Sequence, residues 1–118
     1  MDKSANREMQ TCVENCLNCY KTCEETKGYC LRKGGRHSDP DRLSLMADCA
    51  KICMTSADFM IRSSSNHAEV CGVCSSICEQ CATDCRQMGD DARMQACAQV
   101  CQHCAESCQQ MAGQTTGA

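Results

Sequence analysis

The amino-acid sequence predicts an all-α fold, an up-down-up-down antiparallel four-helix bundle with a core lined by cysteine. Three observations support this prediction. The chain has 118 residues, enough for one domain, and 16 of them are Cys. Those cysteines recur at steps of three and four residues, which return side chains to one face of an α-helix. Short polar connections separate four such stretches, so consecutive helices should lie antiparallel.

The first helix is predicted over Lys3–Lys33, and the glycines at positions 34 and 35 favour a helix end there. Its sulfur-bearing side chains follow one another at steps of three, four, three, four and then seven. These residues are Met9, Cys12, Cys16, Cys19, Cys23 and Cys30.

The second helix is predicted over residues 40–62, because Asp39 is a suitable N-cap and Pro40 suits the first helical position. This helix carries the fewest thiols of the four. Its stripe of sulfur-bearing side chains consists of Met46, Cys49, Cys53 and Met60.

The third helix is predicted to run to about residue 88, and Asn66 with Glu69 forms a variant of the capping box at its start. Asp90 or Asp91 then caps the fourth helix, which ends near residue 111. Residues 1–112 should therefore form the bundle and residues 113–118 a flexible tail. The third stripe consists of Cys71, Cys74, Cys78, Cys81 and Cys85, and the fourth of Met94, Cys97, Cys101, Cys104, Cys108 and Met111.

The composition indicates that aliphatic burial alone does not complete this core. Only 12 residues are Val, Ile, Leu or Phe, a fraction at which disorder is the usual expectation. A single free Cys packs as a small hydrophobe. Cysteine at most inward positions of four helices, however, would leave the interior underfilled. The thiols therefore need a further role.

Several classes of function are disfavoured. The N-terminal stretch MDKSANREMQ has no apolar h-region, so we expect no secretory signal, a cytoplasmic location and reduced thiols. The net charge of −3, with no basic run, argues against a nucleic-acid partner. We expect no membrane association, because no apolar run has membrane-spanning length. We also expect no enzymatic activity, because the C-x2-C pairs lie along helices rather than on a βαβ framework.

The spacing of the cysteines favours metal binding over disulfides within a helix. Residues four apart on a helix have Cβ atoms about 5–6 Å apart, whereas a disulfide needs about 3.8 Å. Two thiolates held linearly by one metal ion place their sulfurs roughly 4.6 Å apart. Disulfides between helices remain open. The pairs with this spacing are Cys12/Cys16, Cys19/Cys23, Cys49/Cys53, Cys74/Cys78, Cys81/Cys85, Cys97/Cys101 and Cys104/Cys108.

The ligand types favour Cu(I), with multiple ions per chain. Thiolate and thioether together select Cu(I) over harder ions. A four-thiolate zinc site leaves a net charge of −2, and several such sites in one bundle would be costly to bury. Iron–sulfur clusters commonly use a run of cysteines in a loop, and the chain has no C-x2-C-x2-C-x3-C run. A cysteine-rich zinc-binding or iron–sulfur-binding helical protein is the alternative.

Four Cys-rich helices, with C-x3-C on each, C-x2-C on three and Met near the ends, resemble the bacterial copper storage proteins, and the cytosolic branch most closely. The resemblance extends over nearly the whole chain. It implies a four-helix bundle, usually within a tetramer, that sequesters many Cu(I) ions along its axis for copper homeostasis. Donor and acceptor molecules for the copper are not implied. The resemblance makes all sixteen cysteines candidate ligands, those four apart above all.

Alternating helix directions would bring Met46, Met88 and Met94 to one end of the bundle, near Cys30 and His37. A group of thioethers at a pore mouth would bind copper weakly and exchangeably, so these residues are the candidates for admitting the metal. His37 is included because family members have a His near the mouth. At the opposite end, the same argument groups Met9, Met60 and Met111, near His67.

One flank of the second helix suggests self-association. Ala47, Ala50, Met54 and Ile61 form a stripe about 100° from the cysteines. An isolated bundle would leave much of this stripe in water, where an apolar patch often marks an interface. We therefore expect a homo-oligomer, a tetramer by the family resemblance, built partly through this flank.

Overall fold

The structure of the protein, a computed structural model, describes the backbone of residues 3–113 and the side chains of residues 6–113. Gly113 is the last residue of a helix, so the predicted tail does not begin there. The rest of that tail, residues 114–118, lies outside the described residues.

Four long helices account for almost all of the described chain, and they confirm the predicted four-helix bundle. They are α1 (Lys3–Lys33), α2 (Pro40–Ile61), α3 (His67–Arg86) and α4 (Ala92–Gly113). A short 3-10 turn, Gly35–Ser38, joins α1 to α2. Helices adjacent in sequence pack together, and α1 packs against α4, which closes the bundle around one axis. The resulting body measures 49 × 20 × 19 Å.

The core of this bundle is made of sulfur-bearing and small side chains. Every one of the sixteen cysteines is buried, with at most 1% of its surface exposed. Met46, Met60, Met94 and Met111 are buried with them, and small alanines pack beside the stripes. Several of the larger apolar residues lie on the outside instead. The exposed ones are Leu17, Leu31, Met54, Ile61 and Val73.

Two aspartates begin helices as the sequence predicts. The Asp39 carboxylate accepts a hydrogen bond from the Asp41 backbone N–H at 2.8 Å, and Pro40 is the first helical residue. The Asp91 carboxylate accepts from the backbone N–H groups of Arg93 and Met94, at 3.0 and 3.1 Å. These bonds pair N–H groups that a helix start leaves without partners.

The start and end of α3 differ from the prediction. The Asn66 side chain makes no capping hydrogen bond, so the predicted box with Glu69 does not form. The Asn66 backbone is near φ −96° and ψ 4°, outside the extended region that aims an N-cap side chain at the helix. The carbonyl of Ser64 accepts from the His67 N–H instead. The helix also ends two residues early, because bonds between residues three apart tighten its last turn before Gly89.

Polar contacts tie together the end of the bundle that carries the Gly35–Ser38 turn. Arg42 is almost fully buried, and its guanidinium bonds both the Asp84 carboxylate, at 2.8 Å, and the carbonyl of Arg36. Arg36 in turn donates to the carbonyl of Gln87 at 3.0 Å. The turn is thereby fastened to α2 and to the α3–α4 connection. Within residues 3–113, none of the helices has the length and apolar character needed to cross a bilayer.

We predict that Asp39→Ala lowers the free energy of unfolding of the metal-free, reduced protein by about 1 kcal/mol, because α2 loses its N-cap hydrogen bond. Asn66→Ala is the matched control at the start of α3. It should change the free energy of unfolding by less than about 0.5 kcal/mol, since no capping bond is lost. Urea unfolding measures both values. Equal losses in the two variants would contradict this account of the helix ends.

Candidate metal centre

The cysteines form one continuous column of free thiols along the bundle axis. The structure contains no disulfide among the sixteen, all of which lie in its described part. Sγ atoms approach one another to 3.5 Å, in the pairs Cys16/Cys108 and Cys53/Cys78. A disulfide bond is only about 2.05 Å long. The interhelical disulfides that the sequence left open are therefore not formed here.

Cysteines four residues apart lie side by side, as the spacing predicts. Their Sγ atoms are 3.9 Å apart in Cys19/Cys23, 3.8 Å in Cys74/Cys78 and 4.0 Å in Cys104/Cys108. A linear bridge through one metal ion needs roughly 4.6 Å, by borrowing the zinc–sulfur length. A small rotation of the cysteine side chains would bring the two sulfurs to that separation.

The thiols of α2 occupy the middle of the column. The Sγ of Cys53 lies 3.7 Å from Cys74, 3.5 Å from Cys78 and 3.7 Å from Cys104, which belong to α3 and α4. The Sγ of Cys49 lies 3.7 Å from Cys78 and 3.9 Å from Cys19. Although α2 has only two cysteines, each of them therefore contacts thiols of other helices.

Four groups of cysteines are close enough to hold a metal ion, with every sulfur in a group within 4.8 Å of the others. Three groups contain four thiols, and one contains three. Neighbouring groups share members, so the column is a chain of overlapping sites. The groups are Cys16–Cys74–Cys104–Cys108, Cys19–Cys53–Cys78–Cys104, Cys19–Cys23–Cys49–Cys101 and Cys12–Cys71–Cys108.

The remaining thiols lie toward the end of the Gly35–Ser38 turn and form no group of this kind among the described residues. They are Cys30, Cys81, Cys85 and Cys97. Cys30 instead contacts a thioether, since its Sγ lies 3.6 Å from the Sδ of Met94. The preformed sulfur groups are thus concentrated in one part of the bundle.

Two buried hydroxyl residues continue the cysteine stripes. Thr26 follows Cys23 by three residues on α1, and Ser56 follows Cys53 by three on α2. Both are buried. A stripe defined by sulfur alone leaves both residues out, although the repeat of three and four residues passes through both. Ser56 Oγ has no hydrogen-bond partner, the only buried side-chain oxygen or nitrogen of the described residues in that condition.

Burial opposes ionisation of these thiols in the metal-free protein. It is the main cause that raises the pKa of Cys30. For Cys71, the neighbouring Cys108 thiol acts to lower the pKa, but Cys12 and burial together raise it to about 12. A thiol must lose its proton to ligate a metal, so binding at such positions releases protons.

The residues predicted to admit copper lie at the end that carries the turn. Met46 and Met94 are fully buried and Met88 is 8% exposed, with Cys30 beside Met94 as predicted. His37 is not a free loop residue, because its Nε2 lies 2.8 Å from the Asp91 carboxylate.

The same Asp91 carboxylate accepts a hydrogen bond from the Tyr29 hydroxyl at 2.6 Å. This bond, together with those from His37 and two backbone N–H groups, holds the pKa of Asp91 well below its usual range. His37 is therefore held by a charged neighbour, with 19% of its side chain exposed.

A comparison with known proteins identifies the family. The sequence profile described as copper storage protein matches residues 5–113. The chain belongs to the copper storage protein family. The predicted resemblance is therefore confirmed over almost the entire chain. A buried column of thiolate donors is the kind of site that soft ions such as Cu(I) prefer.

Solved structures share both the fold and much of the sequence of this copper storage family member. The Nmul_A1745 protein from Nitrosospira multiformis is 42% identical, with a TM-score of 0.87, over 92% of this chain and 97% of that one. The Cu(I)-bound copper storage protein BsCsp3 is 35% identical, with a TM-score of 0.83, over 89% of this chain and 98% of that one.

A curated relative matches over a shorter segment. The cysteine-rich protein YhjQ of Bacillus subtilis (strain 168) is 36% identical over 68 residues, which is 58% of this chain. The match spans 63% of the length of that relative.

Proposed function

We propose that the protein stores Cu(I), binding many ions per chain through cysteine thiolates along the inside of the bundle. The observation that carries this proposal is the continuous column of buried, unbridged thiols, with neighbouring sulfurs 3.5–4.0 Å apart. Cysteine side chains fill a core less completely than larger apolar side chains do, but they provide many soft donor atoms for a metal ion. The Cu(I)-bound relative of the same fold supports it.

Charge favours a ratio of about one copper ion per thiolate. Each Cu(I) then neutralises one thiolate, and the core stays close to neutral in spite of its burial. Where groups of thiols overlap, as at Cys104 and Cys19, a thiolate shared between two ions satisfies both groups. The proposed ligands are the sixteen cysteines, including the two of α2, the helix with the fewest thiols.

The alternative, zinc or iron in tetrahedral sites, has one observation in its favour. Three of the sulfur groups contain four thiols each, the number that a structural zinc site uses. Those three groups, however, share Cys19 and Cys104 between them. Separate four-thiolate sites cannot all be filled at once, and each filled site would bury a charge of −2. Cu(I) bound at about one ion per thiolate avoids both the competition for shared cysteines and the buried negative charge.

We propose a binding role without enzymatic activity, in the cytoplasm, where thiols stay reduced. Full burial of every cysteine supports the first part, because a catalytic thiol needs access to its substrate. His37, Met46, Met88 and Met94 remain candidates for admitting copper at the end of the turn.

We further propose a homo-oligomer that uses part of the α2 flank. The predicted stripe is wrong at Ala50, which is 1% exposed because its small side chain packs inside the bundle. Met54 and Ile61, at 38% and 63% exposure, remain on the surface, and exposed apolar groups of this size favour an interface. The tetramer implied by the family resemblance supports this proposal.

We predict that the reduced, metal-free protein binds Cu(I) at about one ion per thiol in an anaerobic titration. The double variant Cys49→Ser/Cys53→Ser should bind about two ions fewer, because both thiols contact the central column. Ser44→Ala, at an exposed position on the same helix, is the matched control and should keep full capacity. Saturation near one metal per four thiols, with Zn²⁺ competing effectively, would contradict copper storage.

For the oligomer, we predict that Met54→Glu shifts the protein toward monomer in sedimentation velocity, because a carboxylate would have to be buried at the interface. Copper capacity should not change, since the side chain of Met54 faces away from the column. Val73→Glu, at a similarly exposed apolar position on α3, is the control and should leave the assembly intact. A wild-type protein that sediments as a monomer at micromolar concentration would refute the interface.

A further inference from the structure

One buried hydroxyl interrupts the column of sulfur without having a partner of its own. Ser56 lies on the inward stripe of α2, three residues after Cys53 and four before Met60. Its side chain is fully buried, and no atom of the described chain forms a hydrogen bond with its Oγ. A buried hydroxyl left unpaired is unfavourable, and native structures contain few of them. Folding of the metal-free protein alone therefore does not explain why a hydroxyl stands at this position.

Ser56 occupies the α2 side of the three-thiol group. That group consists of Cys12 from α1, Cys71 from α3 and Cys108 from α4, so α2 contributes no thiol to it. Both cysteines of α2 belong to four-thiol groups instead. Ser56 lies beside Cys71. A hydroxyl thus stands where a thiol of α2 would otherwise give this group a fourth sulfur.

A second hydroxyl reaches the same three sulfurs. The hydroxyl of Ser107 donates to the Cys12 Sγ at 3.5 Å and also lies 3.3 Å from the carbonyl oxygen of Cys104. Its oxygen accepts a hydrogen bond from the side-chain amide of Asn15 at 3.2 Å. Ser107 is therefore already paired in the metal-free protein, whereas Ser56 is not. The group has two hydroxyl donors around three thiols.

Metal ligation changes what the Cys71 sulfur can accept. A thiol is a weak hydrogen-bond acceptor, but it loses its proton when it ligates a metal, and charged acceptors form the stronger hydrogen bonds. One copper ion among three thiolates also leaves excess negative charge on the sulfurs, which is unfavourable in a buried core unless donors surround it. A hydroxyl is a hard, poor ligand for Cu(I) but a better donor than a thiol. Loading would thus create the acceptor that Ser56 lacks.

We propose that Ser56 is a positioning residue of the metal site, which donates a hydrogen bond to the Cys71 thiolate when the Cys12–Cys71–Cys108 group holds Cu(I). The inference rests on the proposed storage of Cu(I). Each ligating thiol gives its proton to water as its sulfur–copper bond forms, and the oxidation state of copper does not change. Ser56 keeps its proton and shares it with the sulfur. The hydroxyl therefore favours the loaded state of this group over the metal-free state.

The test compares Ser56→Ala with Ser75→Ala. Ser75 is the matched control, because it is a buried hydroxyl on α3 that already donates to the carbonyl of Ala105 at 2.8 Å. Urea unfolding measures the stability of each reduced, metal-free protein. Anaerobic competition with bicinchoninate measures how tightly each protein holds Cu(I). The Ser56→Ala change is then repeated in a Cys71→Ala background, where the thiolate acceptor is absent, so that the two changes form a double-mutant cycle.

We expect the two serine variants to differ in both measurements. Metal-free Ser56→Ala should unfold at a urea concentration no lower than the wild type does, because no hydrogen bond is lost. It should hold about one copper ion per chain roughly ten-fold more weakly, the lower end of the effect of hydrogen bonds to metal ligands. Ser75→Ala should unfold at a lower urea concentration with unchanged copper affinity. In the Cys71→Ala background, Ser56→Ala should have no further effect on copper affinity.

Two results would overturn the role of Ser56 while leaving copper storage intact. One is wild-type copper affinity in Ser56→Ala, or the same loss of affinity with and without Cys71. The other is a lower urea midpoint in metal-free Ser56→Ala, which would make the hydroxyl a packing group of the metal-free core. Absence of Cu(I) binding by the wild-type protein would instead overturn the storage function on which the inference depends.

Discussion

Close packing of thiols along a single axis is the constraint on which the rest of this structure depends. Inward positions on four helices are filled by Cys, Met, Ala and an occasional hydroxyl residue, so the helices surround a narrow column of sulfur rather than an aliphatic core. Several larger apolar residues are left on the surface. Because few large apolar side chains are buried, polar contacts contribute to holding the helix ends in place. These contacts are the N-caps of Asp39 and Asp91 and the Arg42–Asp84 ion pair.

The same column explains how the fold leads to metal storage. Helical spacing puts thiols side by side within a helix, and the bundle then brings thiols from different helices to similar distances. The resulting groups overlap, which suits many monovalent ions sharing thiolates better than a few isolated tetrahedral sites. Metal binding exchanges buried protons for buried cations, so the core remains close to neutral as it fills.

The sequence was sufficient for the fold and for the placement of the cysteines, because a repeat of three and four residues is itself the geometry of one helix face. It was not sufficient where the outcome depends on tertiary contacts. Asn66 is a residue type that favours the N-cap position, but its backbone angles do not suit that position. Ala50 belongs to the stripe predicted to face outward, yet it packs inside the bundle. The pairing of His37 with Asp91 joins residues 54 positions apart. The inward position of Ser56 could have been predicted by extending the repeat to residues that carry no sulfur.

The thermal unfolding midpoints of the metal-free and Cu(I)-loaded protein, both reduced and anaerobic, test the central claim most directly. If the thiols are a metal-binding core, ligation of the native state alone adds free energy of folding, and the loaded protein should unfold at a much higher temperature. Partial loading should give intermediate midpoints. Equal midpoints for the two forms would mean that the axial thiols are packing groups, and they would contradict the account.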